Sequence, residues 1–197
     1  MEKVNNKITN TIKKYKERII IEKLNYKELN IDNLEDILII KRLTEFDTSK
    51  YCYGDYSLFA GFDEYFNYAI YLGDELIGYL AYIFSHPKDI TRFIPCICLK
   101  EEYRHIGIGY IVIKQLMNTL FETFSDLKSI YVTALEKNTQ SINLAKSIGF
   151  YEFPGYREND YFLVNGKEEK QNHYLYKRKD YQKNKKNFIS YGYMKIR

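Results

Sequence analysis

Tryptophan is absent from this sequence of 197 residues, and proline, cysteine and histidine each occur only three times. Cys52, Cys96 and Cys98 are an odd number without metal-ligand spacing, which fits a reducing, cytoplasmic location and no metal site. No run of about 18 apolar residues occurs, so we expect no membrane-spanning helix. The N-terminus is polar and lysine-rich without an apolar core, which argues against a secretory signal.

Charge is distributed unevenly along the chain. The formal net charge is +4, yet residues 1–23 carry seven basic and three acidic side chains, and residues 177–197 carry eight basic and one acidic. The segment between them carries 15 basic against 22 acidic side chains and is therefore acidic. An acidic body suits a cationic ligand such as an amine, because the field in a cleft raises the local ligand concentration. Scattered surface charge is the other interpretation.

The hydrophobic pattern predicts a mixed α/β sheet with two right-handed crossovers in its second half. Predicted strands are Arg18–Leu24, Tyr65–Leu72, Glu75–Phe84, Ile94–Leu99, Ser129–Leu135, Glu158–Val164 and His173–Lys177. Predicted helices are a segment capped by Asp32, Ile108–Phe124 and Thr139–Ile148. The pair Gly73-Asp74 predicts a hairpin between the second and third strands.

The segment RHIGIG, from Arg104 to Gly109, joins a predicted strand to a predicted helix. Backbone N–H groups at a helix N-terminus are unpaired and suit an anion. Gly107 and Gly109 let the backbone approach phosphate oxygens, and Arg104 can add charge-assisted hydrogen bonds. Taken alone, the motif is equally compatible with a glycine-containing turn that binds nothing.

A second motif, NTQSINLAKSIGF, follows one helix and one strand later. Asn138 is a good N-cap and Gly149 is placed as a C-cap, so the helix between them is well delimited. A cap after a strand places hydrogen-bond donors near the carboxyl edge of the sheet, where open α/β sheets bind ligands. The order and spacing of the two motifs predict a site for a pyrophosphate-bearing acyl carrier.

The two motifs resemble those of the GNAT N-acetyltransferase superfamily, whose acetyl-CoA signature reads Q/R-x-x-G-x-G/A. Arg104-x-x-Gly107-x-Gly109 meets that signature in full. The second motif, together with the later segments FLVNGK and YLYKRKDY, resembles the ribosomal-protein N-terminal acetyltransferase branch, which is RimJ/RimL-like. The resemblance implies a single-domain, mostly antiparallel twisted sheet of about six to seven strands flanked by helices. It covers residues 17–181, leaving a polar basic arm at 1–16 and a basic, aromatic tail at 182–197.

The resemblance also implies how acetyl-CoA would bind. The strand that contains Ile97 and Leu99 would pair with the pantetheine amides, and Asn138 would touch the pantetheine arm. The pyrophosphate would lie beside Arg104, on the backbone amides of one turn. That turn consists of His105, Ile106, Gly107, Ile108 and Gly109.

The implied reaction is direct attack of an unprotonated amine on the thioester, without a covalent enzyme intermediate. Many relatives carry a tyrosine that protonates the leaving thiolate, but Ala145 occupies that position here. Ser141, one turn after the cap, is the expected replacement. A first-turn serine that satisfies only backbone groups is the alternative.

The general base is harder to assign from the sequence. Two positions that supply a glutamate in relatives hold Phe93 and Thr133 here. Glu158 and Asp160 are the leading candidates. Asp63, Glu64, His86 and His173 are further candidates. Desolvation and orientation with a water chain could also suffice.

The sequence determines the acceptor amine least well. The aromatic stretch from Tyr51 to Phe62 occupies the place where relatives form the acceptor lip, and aromatic faces attract ammonium groups. Candidate acceptors are a protein or peptide N-terminus, a polyamine, an amino sugar, an aminoglycoside or an aminoacyl-tRNA. A homodimer is compatible with the resemblance.

A function of a different class is suggested by the C-terminal tail. Its lysines and arginines are interleaved with four aromatic residues, and cations meet phosphates while aromatics stack on bases. These aromatics are Tyr181, Phe188, Tyr191 and Tyr193. The alternative is therefore an RNA- or ribosome-binding module with a degenerate acetyl-CoA site.

Overall fold

The structure, a computed structural model, describes residues 2–30, 32–44, 66–82, 91–92, 96–154, 161–164 and 167–195. The helices are α1 (Glu2–Lys23), α2 (Leu34–Thr44), α3 (Ile108–Thr123), α4 (Thr139–Ile148) and α5 (Arg178–Ile189). The first strands are β1 (Leu24–Glu28), β2 (Phe66–Leu72), β3 (Glu75–Tyr82), β4 (Thr91–Arg92) and β5 (Cys96–Leu99). The later strands are β6 (Ser129–Leu135), β7 (Tyr151–Phe153), β8 (Tyr161–Val164) and β9 (Lys167–Lys177).

The strands form two sheets that run side by side. One sheet has the order β1-β2-β3-β5 and is antiparallel throughout. The other has the order β4-β6-β9-β7, with β4 parallel to β6 and β8 added to β9. The mixed, mostly antiparallel α/β fold expected from the sequence is therefore confirmed.

The helices cover both faces of this arrangement. Helices α3, α4 and α5 pack on one face, in a core that includes Val112, Ala145 and Phe188. Helix α2 packs on the opposite face through Ile40 and Leu43. Because side chains alternate along a strand, β6 sends Ile130, Val132 and Ala134 into the α3 core and its odd-numbered residues to the other face. None of the helices in the described ranges has the length and apolar character of a membrane span.

The predicted first strand at Arg18–Leu24 is wrong, because the chain is helical to Lys23 and β1 begins only at Leu24. Ile20 and Ile21 pack against the main core from α1. The β-branched residues that suggested a strand therefore bury their side chains equally well on a helix, and this packing outweighs a preference of only tenths of a kcal/mol, roughly.

The C-terminal segment is part of the core instead of a separate tail. The predicted boundary after residue 181 falls inside α5, where Tyr181 is 1% and Phe188 is 0% exposed. Beyond α5 the chain crosses α3, where the Gln115 side chain donates to the Tyr191 carbonyl and the Asn118 side chain to the Gly192 carbonyl, at 2.9 and 2.8 Å. Rings buried in this way cannot stack on bases, so the RNA-binding interpretation loses Tyr181 and Phe188.

Candidate acetyl-donor site

The two sheets diverge where β4 passes into β5. Thr91 and Arg92 pair with β6, but β5 pairs with β3, with Leu99 opposite Gly78. Beyond Tyr131, β6 is paired with β9 alone in the described part of the chain. Among the described residues, no strand is therefore paired with residues 132–135 on the side where β4 ends, or with β5 on the side away from β3, and we call the space between these two edges the gap. The backbone edge of β5 that faces this gap could take an extended ligand, as in strand addition, apart from the Leu99 carbonyl, which accepts from Arg104.

The RHIGIG segment forms an uncapped helix start directly after β5. His105 has φ 61° and Gly107, the N-cap of α3, has φ 91°, which is the left-handed region that favours glycine. No side chain caps this end of α3. The N–H groups of the first turn are thus left for another acceptor, and the macrodipole favours an anion there.

Arg104 is tied to the end of the neighbouring strand. Its Nε donates to the Leu99 carbonyl oxygen at 2.7 Å, and the side chain is half-buried. This bond fixes the turn relative to β5, a positioning role that sequence reasoning missed. The phosphate contact expected of Arg104 stays a prediction.

The second motif meets the first one across the gap. Asn138 accepts a hydrogen bond from the Ser141 N–H at 3.0 Å, which confirms it as the cap of α4. A Cβ on Gly109 would lie 3.7 Å from Leu144 Cδ2 of α4 and 4.0 Å from Ile97 Cδ1 of β5. The start of α3 therefore packs against both α4 and β5, so the two motifs and the β5 edge are neighbours, as the predicted acetyl-CoA site requires.

Ser141 is half-exposed in the first turn of α4. Its hydroxyl makes no hydrogen bond within the ranges that the structure describes, so the side chain does not act as a helix cap there. Ala145 lies one turn further on and is 6% exposed. Glu158 and Asp160 lie outside the described residues, as do Asp63, Glu64, His86 and the aromatic stretch from Tyr51 to Phe62.

The structure contains a buried pair of a tyrosine and a histidine, of which the sequence indicated only the histidine. His173 on β9 is 4% exposed, and its Nδ1 shares a hydrogen bond with the hydroxyl of Tyr131 on β6. His173 was one of several candidate bases, and Tyr131 was not considered. The register of β6 against β9 decides this pairing, and the sequence contains no local signal for it.

A separate cavity of about 820 Å³ lies at the other end of α4, between α3, α4 and α5. Lys114 lines it, with its Nζ 3.5 Å from the Ile148 carbonyl oxygen and 3.7 Å from the centre of the Phe188 ring. The Nζ thus lies at the last turn of α4, where a cation is favourable. Burial lowers the pKa of Lys114 from 10.5 to about 8.

We expect Lys114→Met to stabilise the protein at pH 7 by about 1–3 kcal/mol, because it removes a buried charge that has no carboxylate partner among the described residues. Between pH 8 and 10.5 the unfolded chain binds more protons at Lys114 than the folded one, so wild-type stability should rise with pH there. Urea unfolding across that range measures both effects. The exposed Lys183→Met is the control and should change little. A Lys114→Met protein that is less stable than wild type, or whose stability still rises between pH 8 and 10.5, would contradict the assignment of a costly buried charge to Lys114.

The chain matches a known family in sequence and shares its fold with solved structures. The acetyltransferase (GNAT) family profile matches residues 34–150, which include both motifs. No curated protein sequence shows a significant match.

Solved structures of amine acetyltransferases share the fold. Spermidine N-acetyltransferase from Vibrio cholerae, solved with CoA and spermine, is 16% identical with a TM-score of 0.61, covering 82% of this chain and 99% of that one. RimL, a ribosomal L7/L12 α-N-protein acetyltransferase solved with coenzyme A, is 14% identical with a TM-score of 0.56, covering 80% and 96%. Ribosomal-protein-S5-alanine acetyltransferase from Vibrio fischeri is 16% identical with a TM-score of 0.51, covering 66% and 72%. At these identities the similarity concerns the fold alone.

Proposed function

Since this chain belongs to the acetyltransferase (GNAT) family, we propose that it transfers an acetyl group from acetyl-CoA to a primary amine. The observation that carries the proposal is the convergence of three features on one space. These are the uncapped start of α3 at Gly107, the cap of α4 at Asn138 and the backbone edge of β5. Two solved structures with this fold contain CoA.

Different elements of the site would bind different parts of acetyl-CoA. The amides of residues 105–109 would hold the pyrophosphate, because they start α3 without a side-chain cap. The outer edge of β5, at Ile97 and Leu99, would pair with the pantetheine amides. Asn138 would lie beside the same arm. Metal chemistry is not part of the proposal, and no cluster of three or more His, Cys, Asp or Glu able to hold a metal occurs among the described residues.

The chemical step needs an unprotonated amine, a polarised carbonyl and a proton for the leaving thiolate. The nitrogen lone pair attacks the thioester carbon, the C–S bond breaks, the nitrogen releases its surplus proton to solvent, and the thiolate takes a proton. Ser141 is the proposed donor of that proton, because its hydroxyl points from the first turn of α4 without a bond to the described chain. A backbone N–H near Leu99 would polarise the carbonyl.

Ser141→Ala should lower kcat more than it weakens acetyl-CoA binding. We expect kcat to fall roughly 100-fold, the low end of what a proton donor contributes, while the Kd for acetyl-CoA stays within about twofold. Steady-state kinetics and calorimetry measure the two quantities. Ser147→Ala is a matched control, since that hydroxyl donates to the Leu144 carbonyl at 2.7 Å on the exposed side of the same helix. Equal kcat in Ser141→Ala and wild type would remove Ser141 from the mechanism.

For the acceptor, we propose a polyamine or the α-amine of a protein or peptide in the cytoplasm. The acidic balance of residues 24–176 favours a cationic substrate. Structures with the same fold include enzymes named for spermidine and for ribosomal-protein amines, and this supports both classes.

Mass spectrometry of the products distinguishes these acceptors. The protein is incubated with acetyl-CoA and, separately, with spermidine, a peptide with a free N-terminus, its N-terminally blocked form, an amino sugar and an aminoglycoside. The proposal predicts that either the polyamine or the α-amine of the free peptide becomes acetylated, and that the blocked peptide gives no acetylated product. Acetylation confined to an amino sugar or aminoglycoside would overturn the acceptor class. No acetylated product with any amine would overturn the transfer itself.

A further inference from the structure

The face of the sheet opposite α3 carries a pair of groups placed for proton transfer. Tyr131 and Thr133 of β6 point to this face, because Ile130, Val132 and Ala134 enter the α3 core. His173 lies directly opposite Thr133 in the antiparallel ladder between β6 and β9. Residues opposite one another in such a ladder share a face, so the imidazole lies beside Thr133.

The imidazole of His173 is held in a fixed orientation. Its Nδ1 shares a hydrogen bond with the Tyr131 hydroxyl, and the two rings are 5.6 Å apart at 25°. Phe153 of β7 is the neighbour of His173 in the ladder on its other side, and its ring packs edge-on against Tyr131 at 6.4 Å. Tyr131 is 1% and His173 4% exposed. In the described part of the chain, Tyr131 is the titratable group that these contacts place against His173.

This pair lies next to the gap proposed to hold the thioester. Thr133 belongs to the stretch of β6 beyond its pairing with β4, and this stretch borders the gap. Neighbouring strands are about 4.8 Å apart, so His173 lies one strand further from the gap than Thr133. A water beside Thr133 would bridge that separation. Cys98 of β5 also faces this side of the sheet, in the cluster formed with α2. An acceptor amine that reaches the gap from this side would lie on the same face of the sheet as His173, whereas Ser141 lies on α4 at the other face.

We propose that His173 is the general base that removes a proton from the acceptor ammonium, through a bridging water, and that Tyr131 is its positioning residue. This proposal rests on the proposed acetyl transfer. When Nδ1–H donates to the Tyr131 oxygen, Nε2 carries the lone pair and accepts the proton. The freed amine then attacks the thioester carbon, the C–S bond breaks, and the thiolate is protonated. The second proton leaves the new amide nitrogen to solvent.

Removing the imidazole should change the pH dependence of the reaction. In His173→Gln we expect kcat/KM for the amine to fall roughly 100- to 1,000-fold at pH 7. Wild-type kcat/KM should fall at low pH, where the imidazole becomes protonated. The kcat/KM of the variant should instead rise tenfold per pH unit, up to the pH at which the amine loses its proton unaided. The difference in kcat/KM between variant and wild type therefore becomes smaller at high pH. Acetyl-CoA affinity by calorimetry should stay within about twofold of wild type.

Tyr131→Phe tests the positioning role with the smallest change of volume. We expect the acid limb of the kcat/KM profile to move while kcat at its plateau falls less than in His173→Gln. If His173→Gln does not fold, as judged by thermal unfolding, a Tyr131→Phe protein with an unmoved acid limb overturns the proposal. A folded His173→Gln protein with the wild-type profile also overturns it. If wild type transfers no acetyl group, the proposed function fails instead, so the two failures are distinguishable.

Discussion

Gly107→Glu is expected to abolish acetyl-CoA binding, with a Kd at least 100-fold above that of wild type by calorimetry. A carboxylate at the start of α3 would occupy the place proposed for the pyrophosphate and repel it. Gly107 has φ 91°, so a side chain there also costs about 1–2 kcal/mol of backbone strain. Apart from its neighbours in the chain, no described residue has an atom within 4 Å of the added Cβ, and the variant should therefore still fold.

Gly192→Glu is the matched control for this change. Gly192 has φ 75°, and in the part of the chain that the structure describes only its chain neighbours lie within 4 Å of an added Cβ, so strain and added charge are similar. It lies beyond α5, where its carbonyl accepts from Asn118. We expect this variant to lose a similar amount of stability and to keep acetyl-CoA affinity. Equal affinities in the Gly107 and Gly192 variants would show that the pyrophosphate does not bind at the start of α3.

Gly78→Ala should destabilise the protein by about 3 kcal/mol or more, measured by urea unfolding. An added Cβ would overlap the Cys98 carbonyl oxygen and lie 2.8 Å from Leu99 Cδ2. That carbonyl belongs to β5, whose backbone is held in the ladder with β3 and cannot move without breaking it. Since β5 also borders the proposed acetyl-CoA site, affinity should fall together with stability.

Gly109→Ala is the control for a methyl group added near the same strand. Its Cβ would make ordinary contacts, 3.7 Å from Leu144 and 4.0 Å from Ile97. Helix propensity favours alanine over glycine by up to about 1 kcal/mol, so this variant should be as stable as wild type or slightly more stable. The acetyl-CoA signature admits alanine at this position, and we expect binding to persist. A stable Gly78→Ala protein would contradict the close packing of β3 against β5.

The sequence predicted best those elements that carry their own local signals. Strand Ser129–Leu135 and helix Thr139–Ile148 were predicted at their observed bounds, because Asn138 and Gly149 terminate the helix by cap chemistry. The family expected from Arg104, Gly107 and Gly109 is confirmed by the profile match. Caps and glycine conformations depend on neighbours in the chain, so a single sequence reveals them.

Features that depend on distant partners were missed. Strand β9 begins at Lys167, six residues before its predicted start at His173, because the polar run KEEKQN gains its strand conformation from pairing with β8 and β6. The bond from Arg104 to the Leu99 carbonyl and the pair of His173 with Tyr131 likewise arise from tertiary packing. Phe188 of α5 is buried in the main core, so tertiary packing also overturns the predicted boundary of a tail after residue 181. Ser141 stays a prediction, as do Glu158 and Asp160.

Thiol release from acetyl-CoA, followed with and without an amine, tests the central claim most directly. Wild-type protein should release free coenzyme A thiol rapidly only when spermidine or a peptide with a free N-terminus is present. Gly107→Glu should release none above background, and Gly192→Glu should match wild type. Amine-dependent release that persists in Gly107→Glu, or no release by wild type with any amine, would contradict acetyl transfer at the start of α3.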